Sequence, residues 1–146
     1  MTDPQTRILD LVVLLAEKEG AGGRLSPAER VVADIGWIDA MVAPNGFDGW
    51  LAYTSCEQMT RTLHALGLTG DDRLLALVRE ALDVAGIDPA AMSDEERDDR
   101  LGDLPDDAHE LLSPLDDRYY GVVGDTMARC LAFAEANGIP VPSGEE

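Results

Sequence analysis

Positive charge is scarce in this chain. Eleven basic residues oppose 29 acidic ones in 146 residues, giving a formal net charge of −18, and Lys18 is the only lysine. A surface of that sign repels phosphate, which disfavours direct binding to nucleic acid or an anionic membrane and favours basic partners. Cysteine is scarce too. Cys56 and Cys130 lie far apart, each within a helical pattern, so they read as buried thiols in a reducing compartment and not as a disulfide. The opening "MTDPQTR" lacks a basic region followed by an apolar core, and no apolar run approaches the roughly 20 residues that span a bilayer. A soluble, cytoplasmic domain is expected.

Signatures of chemistry are also missing. His64 and His109 have no zinc-binding spacing. Asp103, Asp106 and Asp107 lack the glycine and the twelfth-position Glu of a calcium loop. The loop "EGAGGR", Glu19 to Arg24, lacks the Lys-Ser/Thr that completes a phosphate-binding loop, and no Gly-x-Ser-x-Gly elbow occurs. Carboxylate pairs abound, but nothing selects one for glycosidase-like work. The expectation is a protein that is not an enzyme and uses no metal and no cofactor. An enzyme of unrecognised type would need a pocket built from Trp37, Asp39, Trp50 and Tyr53.

What is present is helical patterning. The hydrophobic fraction of 45% suits a globular chain, and the length suits one domain. Asp3-Pro4 starts a first helix carrying Ile8, Leu11, Val12 and Leu15. The capping box "SPAE", Ser26 to Glu29, opens a second helix through Val31, Ile35, Ile38 and Val42, which Pro44-Asn45-Gly46 should break. A third helix is expected from about Phe47 to Leu66, with Trp50, Leu51, Met59, Leu63 and Leu66 inward, and a fourth begins at Asp71-Asp72 with Leu74, Leu75, Leu77, Val78, Ala81 and Leu82. A second capping box, Ser93 to Glu96, starts a short polar helix. After Pro105, a turn through Leu111 and Leu112 leads into a last helix from near Leu115 to Ala136, bearing Tyr119, Val122, Val123, Met127, Leu131 and Ala134. Asn137-Gly138 before Pro140 is its stop signal, with a short flexible tail from about residue 139. No strand alternation and no repeat is evident. The reading is a single compact all-α domain of about six helices over residues 1–146.

The acids are unevenly placed. Between Met92 and Arg118 stand Asp94, Glu95, Glu96, Asp98, Asp99, Asp103, Asp106, Asp107, Glu110, Asp116 and Asp117, opposed by Arg97, Arg100 and Arg118 alone. Adjacent carboxylates repel, which is tolerable where water or a cationic partner screens them. If wholly helical, the segment would be roughly 40 Å long. Duplex DNA presents roughly 24 phosphates over that length. Eleven carboxylates give about half that density, enough to imitate one strand.

The stretch "VAPNGFDGWLAY", Val42 to Tyr53, departs from the surrounding pattern, because a turn runs straight into Phe47, Trp50, Leu51 and Tyr53. Val42, Asn45, Gly46, Phe47 and Trp50 resemble the signature of the bacterial DNA-mimic-protein domain family. "TLHALG", Thr62 to Gly67, and "LDDRYY", with Leu115, Asp116 and Tyr119, resemble two further steps in the same order, so the resemblance covers about residues 28–137. Met41, Pro44, Gly49 and Tyr53 depart from it. Phe47 and Trp50 share a helix face, which is core packing before anything else. The stretch therefore reads as a fold signature. The resemblance implies an all-α fold and an acidic protein, as a homodimer in the founding example, that imitates duplex DNA and occupies the DNA-contacting face of a regulator.

On these grounds the chain is expected to sequester a basic DNA-binding protein or transcriptional regulator through Asp94, Glu95, Asp98, Asp99, Asp103, Asp106 and Asp107, with Asp71 and Asp72 as a second patch. Two alternatives stay open. One is an immunity or antitoxin-like inhibitor of one cognate toxin. The other is the general acidity of a salt-adapted organism, which would spread acids over every exposed face.

Overall fold

Helix starts in this chain are written locally. The computed structural model describes residues 3–142, and among them are six helices and no strand: α1 (Pro4–Gly20), α2 (Pro27–Tyr53), α3 (Cys56–Leu68), α4 (Asp72–Ala85), α5 (Asp94–Gly102) and α6 (Asp106–Ala136). Asp3, Ser26, Ser55, Asp71 and Ser93 each accept from a first-turn amide, satisfying a donor that the helix cannot pair internally. Ser26 with Glu29 and Ser93 with Glu96 complete both expected capping boxes. Among the described residues no helix is long and apolar enough to cross a membrane.

Two boundaries differ from the sequence reading. The helix expected over Phe47–Leu66 is divided between α2 and α3. Gly46, at φ 70° and ψ −176°, does break the helical path, but the chain re-enters helix at once, so α2 continues through the kink to Tyr53. The true end is Thr54, which is extended, and Ser55 then caps α3 by accepting from Gln58 N–H at 3.0 Å. Ser55-x-x-Gln58 was the legible signal for that start. The last helix begins at Asp106 and runs through Pro114, where a start near Leu115 was expected. Proline removes only one amide, and the burial of Leu112 and Leu115 on either side carries the helix across it.

The core forms where α2 and α6 meet, with α1 laid on both, α3 beside α2, and α4 against α6 and α3. Ile35, Ile38, Val42, Phe47, Trp50 and Leu51 of α2 face Leu112, Leu115, Tyr119, Met127 and Cys130 of α6 in one buried cluster. At Gly36 the side chain of Val12 fills the space where a Cβ would stand, which lets α1 approach α2 closely. Val12, Leu63, Leu75, Val122 and Val123 form the half-buried rim of this core. Cys56 and Cys130 are buried free thiols, and burial pushes Cys130 up to about 12. At the end expected to be a tail, Ile139 and Val141 pack on the core and Arg7 Nε donates to the Pro142 carbonyl; residues 143–146 lie outside the described residues.

Gly46 takes a backbone conformation open almost only to glycine, and a Cβ there would run into the Asp116 carboxylate. Gly46→Ala is therefore expected to lower stability by at least about 2 kcal/mol in urea unfolding. Gly67→Ala, at a helical position with open space around the added Cβ, should be neutral or slightly stabilising. Equal effects at the two positions would show that the kink tolerates a side chain.

Candidate functional site

Two constellations of polar residues stand out, one inside the fold and one on its surface. The inner one joins the α2 kink to α6. Asp116 Oδ1 accepts from Phe47 N–H at 2.8 Å, the Phe47 and Tyr119 rings meet edge to face at 6.2 Å, and Tyr119 donates its hydroxyl to Asp39 Oδ1 at 2.6 Å. Tyr120 adds a bond from its hydroxyl to the Ala43 carbonyl at 2.8 Å. Burial pushes Asp116 up from the ordinary carboxylate range, with Asp48 and Asp117 adding to it and the Phe47 amide opposing. Tyr119 is pushed well above its ordinary value, first by burial and then by its bond to Asp39.

Val42, Phe47, Trp50, Leu115 and Tyr119 are thus core residues, and Gly46 and Asp116 are the hinge and its latch. Asn45 is exposed at the kink. Trp37, Asp39, Trp50 and Tyr53 share no pocket. Trp50 is wholly buried, Asp39 is tied to Tyr119, Trp37 donates to Thr54 Oγ1 at 2.9 Å, and Tyr53 is 70% exposed.

The outer constellation is the acidic segment. Its α5 has almost no apolar face: Arg97 is its one buried residue, and Leu101 is half-buried. Polar moorings hold the helix in place. Asp94 Oδ1 accepts from Cys56 N–H at 2.8 Å, Arg97 Nη1 donates to the Thr54 carbonyl, and Arg100 Nη1 donates to the Gly86 carbonyl at 2.9 Å. The Cys56 amide holds Asp94 below the ordinary carboxylate range, and Arg97 adds to this. Arg97 also places Nε and Nη2 on Asp98 Oδ1, at 3.1 and 2.9 Å.

Asp94, Glu95, Asp98, Asp99, Asp103, Asp106 and Asp107 are all exposed, and they are brought together on α5, its C-terminal cap and the first turn of α6. Acids in first turns also suit the helix macrodipole, a local reason for Asp94, Glu95, Asp106 and Asp107 that requires no partner. Among the described residues no group of three or more His, Cys, Asp or Glu converges as metal ligands do, so the carboxylates are splayed toward solvent.

The second patch does not form. Asp71 is 1% exposed; it caps α4 at Leu74 N–H, and its other oxygen accepts from Thr126 Oγ1 at 2.5 Å. A carboxylate so enclosed presents nothing to a partner. Asp72 is exposed but lines a groove with Arg73, Arg118, Gly121 and Val122, beside the middle of α6. Arg118 lies roughly 16 Å along the helix from Asp107 at 1.5 Å per residue.

Sequence reasoning passed over Asp34, named Asp39 only for a possible pocket, and counted Arg97 only as a counter-charge. Asp34 is 2% exposed and holds Arg61 in a two-pronged bond, both contacts at 3.1 Å. The available signal was position, since Asp34 and Asp39 fall on the same helical stripe as Val31, Ile35, Ile38 and Val42. For Arg97 it was the lack of any apolar stripe on α5, which leaves the arginine stem to be buried. His109 Nδ1 lies 2.8 Å from Asp48 Oδ1, joining the start of α6 to the segment after the kink, and His64 is exposed on α3.

Asp116 gives a pH test. Its folded value lies above the unfolded one, so its contribution is fully present below the unfolded value and is lost as pH rises through the folded one. Asp116→Asn keeps an acceptor for Phe47 N–H and should gain on the natural protein in thermal melts as pH rises from about 4 to about 7. Asp116→Ala, which orphans that amide, should lose about 1 to 3 kcal/mol at both. Parallel melting curves for the natural protein and the Asn variant would mean that the carboxyl ionises as freely as in water.

A protein-family model described as DMP19-like protein matches residues 23–137. No curated protein and no solved structure matches the chain.

Proposed function

The chain belongs to the DMP19-like family of DNA-mimic proteins, and on that premise we propose that it sequesters a basic DNA-binding protein, such as a transcriptional regulator, by presenting carboxylates where that partner expects phosphates. The observation that carries the reading is the concentration of exposed acids on α5 and the start of α6, mounted on a packed helical body. No reaction is required. Arginine and lysine side chains of the partner exchange phosphate for carboxylate, and the association is ionic and screened by salt. Eleven of the chain's 29 acids fall between Met92 and Arg118, and this concentration favours a dedicated face over general acidity.

The moorings decide which acids to remove. Asp94 accepts a bond that holds α5 on the body and Asp98 pairs with its neighbour Arg97 inside the helix, whereas Glu95, Asp99, Asp103 and Asp107 do neither. Combining Glu95→Gln, Asp99→Asn, Asp103→Asn and Asp107→Asn leaves the caps and moorings intact, so helical content should be unchanged. Four exposed ion pairs at about 0.2 to 1 kcal/mol each sum to about 1 to 4 kcal/mol, up to a several-hundred-fold loss of affinity.

The test is capture from host lysate on the immobilised protein, with and without excess duplex DNA, followed by affinity measurement for the retained protein. DNA-binding proteins displaced by DNA, and lost with the four-fold variant, are the expected result. Retention of one protein that DNA does not displace would overturn mimicry in favour of a dedicated inhibitor of one toxin.

A further inference from the structure

The exposed acids of α5 are not equivalent, and the difference is made by one arginine. Asp94 and Asp98 lie on one row of the helix and are drawn to Arg97, at 4.0 and 2.9 Å. Glu95, Asp99 and Asp103 form the neighbouring row, each four residues from the last, and none of them takes part in a salt bridge among the described residues. Asp103 is the C-terminal cap and its amide still donates to the Asp99 carbonyl at 3.1 Å, so the row continues to the end of the helix. Its members rise by roughly 6 Å per step.

Arg97 is itself fixed. It is 7% exposed, and its Nη1 donates to the carbonyl of Thr54 in the turn between α2 and α3. With the guanidinium held there, its Nε and Nη2 meet the single oxygen Oδ1 of Asp98. Two consequences follow from one side chain. α5 is oriented on the body by polar contacts, of which this is the buried one, since the helix offers Leu101 as its one half-buried apolar residue. The charge pattern is also sorted, one row partly offset by a cation and the next without one.

We propose that Arg97 is a positioning residue for the partner-binding face, and that the edge read by a basic partner is the row Glu95–Asp99–Asp103, not the adjacent Asp94–Asp98 row. This rests on the sequestration reading above. The partner fitted by such an edge presents arginines or lysines in a row of similar spacing, as one face of a basic helix does when these residues recur every fourth position.

The probe is a synthetic helical peptide with arginine at every fourth position, compared with a peptide of the same composition and scrambled arginine order. Adjacent substitutions of identical charge give the first readout. Asp99→Asn should weaken binding of the ordered peptide by about threefold to fivefold, whereas Asp98→Asn should change it by less than about twofold. The second readout opposes two signs. Arg97→Met keeps an apolar stem and adds one net negative charge, so a diffuse acidic surface would bind either peptide more tightly. Positioning by Arg97 instead requires that the ordered peptide bind more weakly and that preference over the scrambled one disappear, with Arg97→Lys recovering part of it.

Circular dichroism of every variant separates loss of fold from loss of orientation. If Arg97→Met fails to fold, the exposed pair Asp98→Asn and Asp99→Asn still decides the matter. Equal effects at Asp98 and Asp99, or tighter binding by Arg97→Met with preference retained, would overturn the proposal. Because the peptides report on the row directly, that outcome is separate from failure of lysate capture, which would overturn the sequestration reading.

Discussion

The bond between the Asp116 carboxylate and the Phe47 amide is the contact from which the rest of the arrangement follows. Gly46 turns the chain in the middle of α2 and leaves the next amide without its helical partner. Asp116, on α6, supplies the missing acceptor, and Gly46 has no Cβ to keep it away. With the kink latched, Phe47 is carried under Tyr119, Tyr119 reaches Asp39, and the two longest helices are fixed against each other. α1 and α4 then have a groove and a face to pack against. Most residues that carry the family signature act on the fold, which is why Val42, Phe47, Trp50, Leu115 and Tyr119 are buried while the proposed binding acids are exposed.

Acidity in this protein has two uses that composition cannot separate. Asp34, Asp39 and Asp71 are buried, and each is matched by a donor: the Arg61 guanidinium, the Tyr119 hydroxyl, and the Leu74 amide with the Thr126 hydroxyl. A buried carboxylate without such a partner would be strongly destabilising, so these three are structural by necessity. The acids of α5 and early α6 are tolerable for the opposite reason, because water screens them. A helix with so little apolar surface needs polar moorings, and Arg97 supplies the buried one.

Much of the architecture was legible along the chain. Ser26-Pro27 and Ser93 announced their helices, and the apolar spacings in α1, α4 and α6 identified most of the core. The misplaced boundary between α2 and α3 arose because a Pro-Asn-Gly turn is a stronger local signal than Thr54-Ser55, although the kink interrupts the helix only briefly. The start of α6 was expected near Leu115, after a separate turn through Leu111 and Leu112, whereas burial of Leu112 and Leu115 on either side of Pro114 outweighs the one lost amide bond and joins the two. Asp71 was read correctly as a helix start and incorrectly as surface: the cap is local, but the hydroxyl of Thr126 that encloses it comes from 55 residues away.

The amino-acid sequence by itself determined the all-α class, four of the five side-chain-capped helix starts, the apolar stripes and the concentration of acid between Met92 and Arg118, because each depends on residues close to one another along the chain. The tertiary structure alone decided which carboxylates are committed and which are free. Phe47 and Asp116 are 69 residues apart, Arg97 and Thr54 are 43 apart, and Cys56 and Asp94 are 38 apart. A carboxylate's role is set by the donor it meets and the water it keeps, and both are properties of packing that no spacing along the chain encodes.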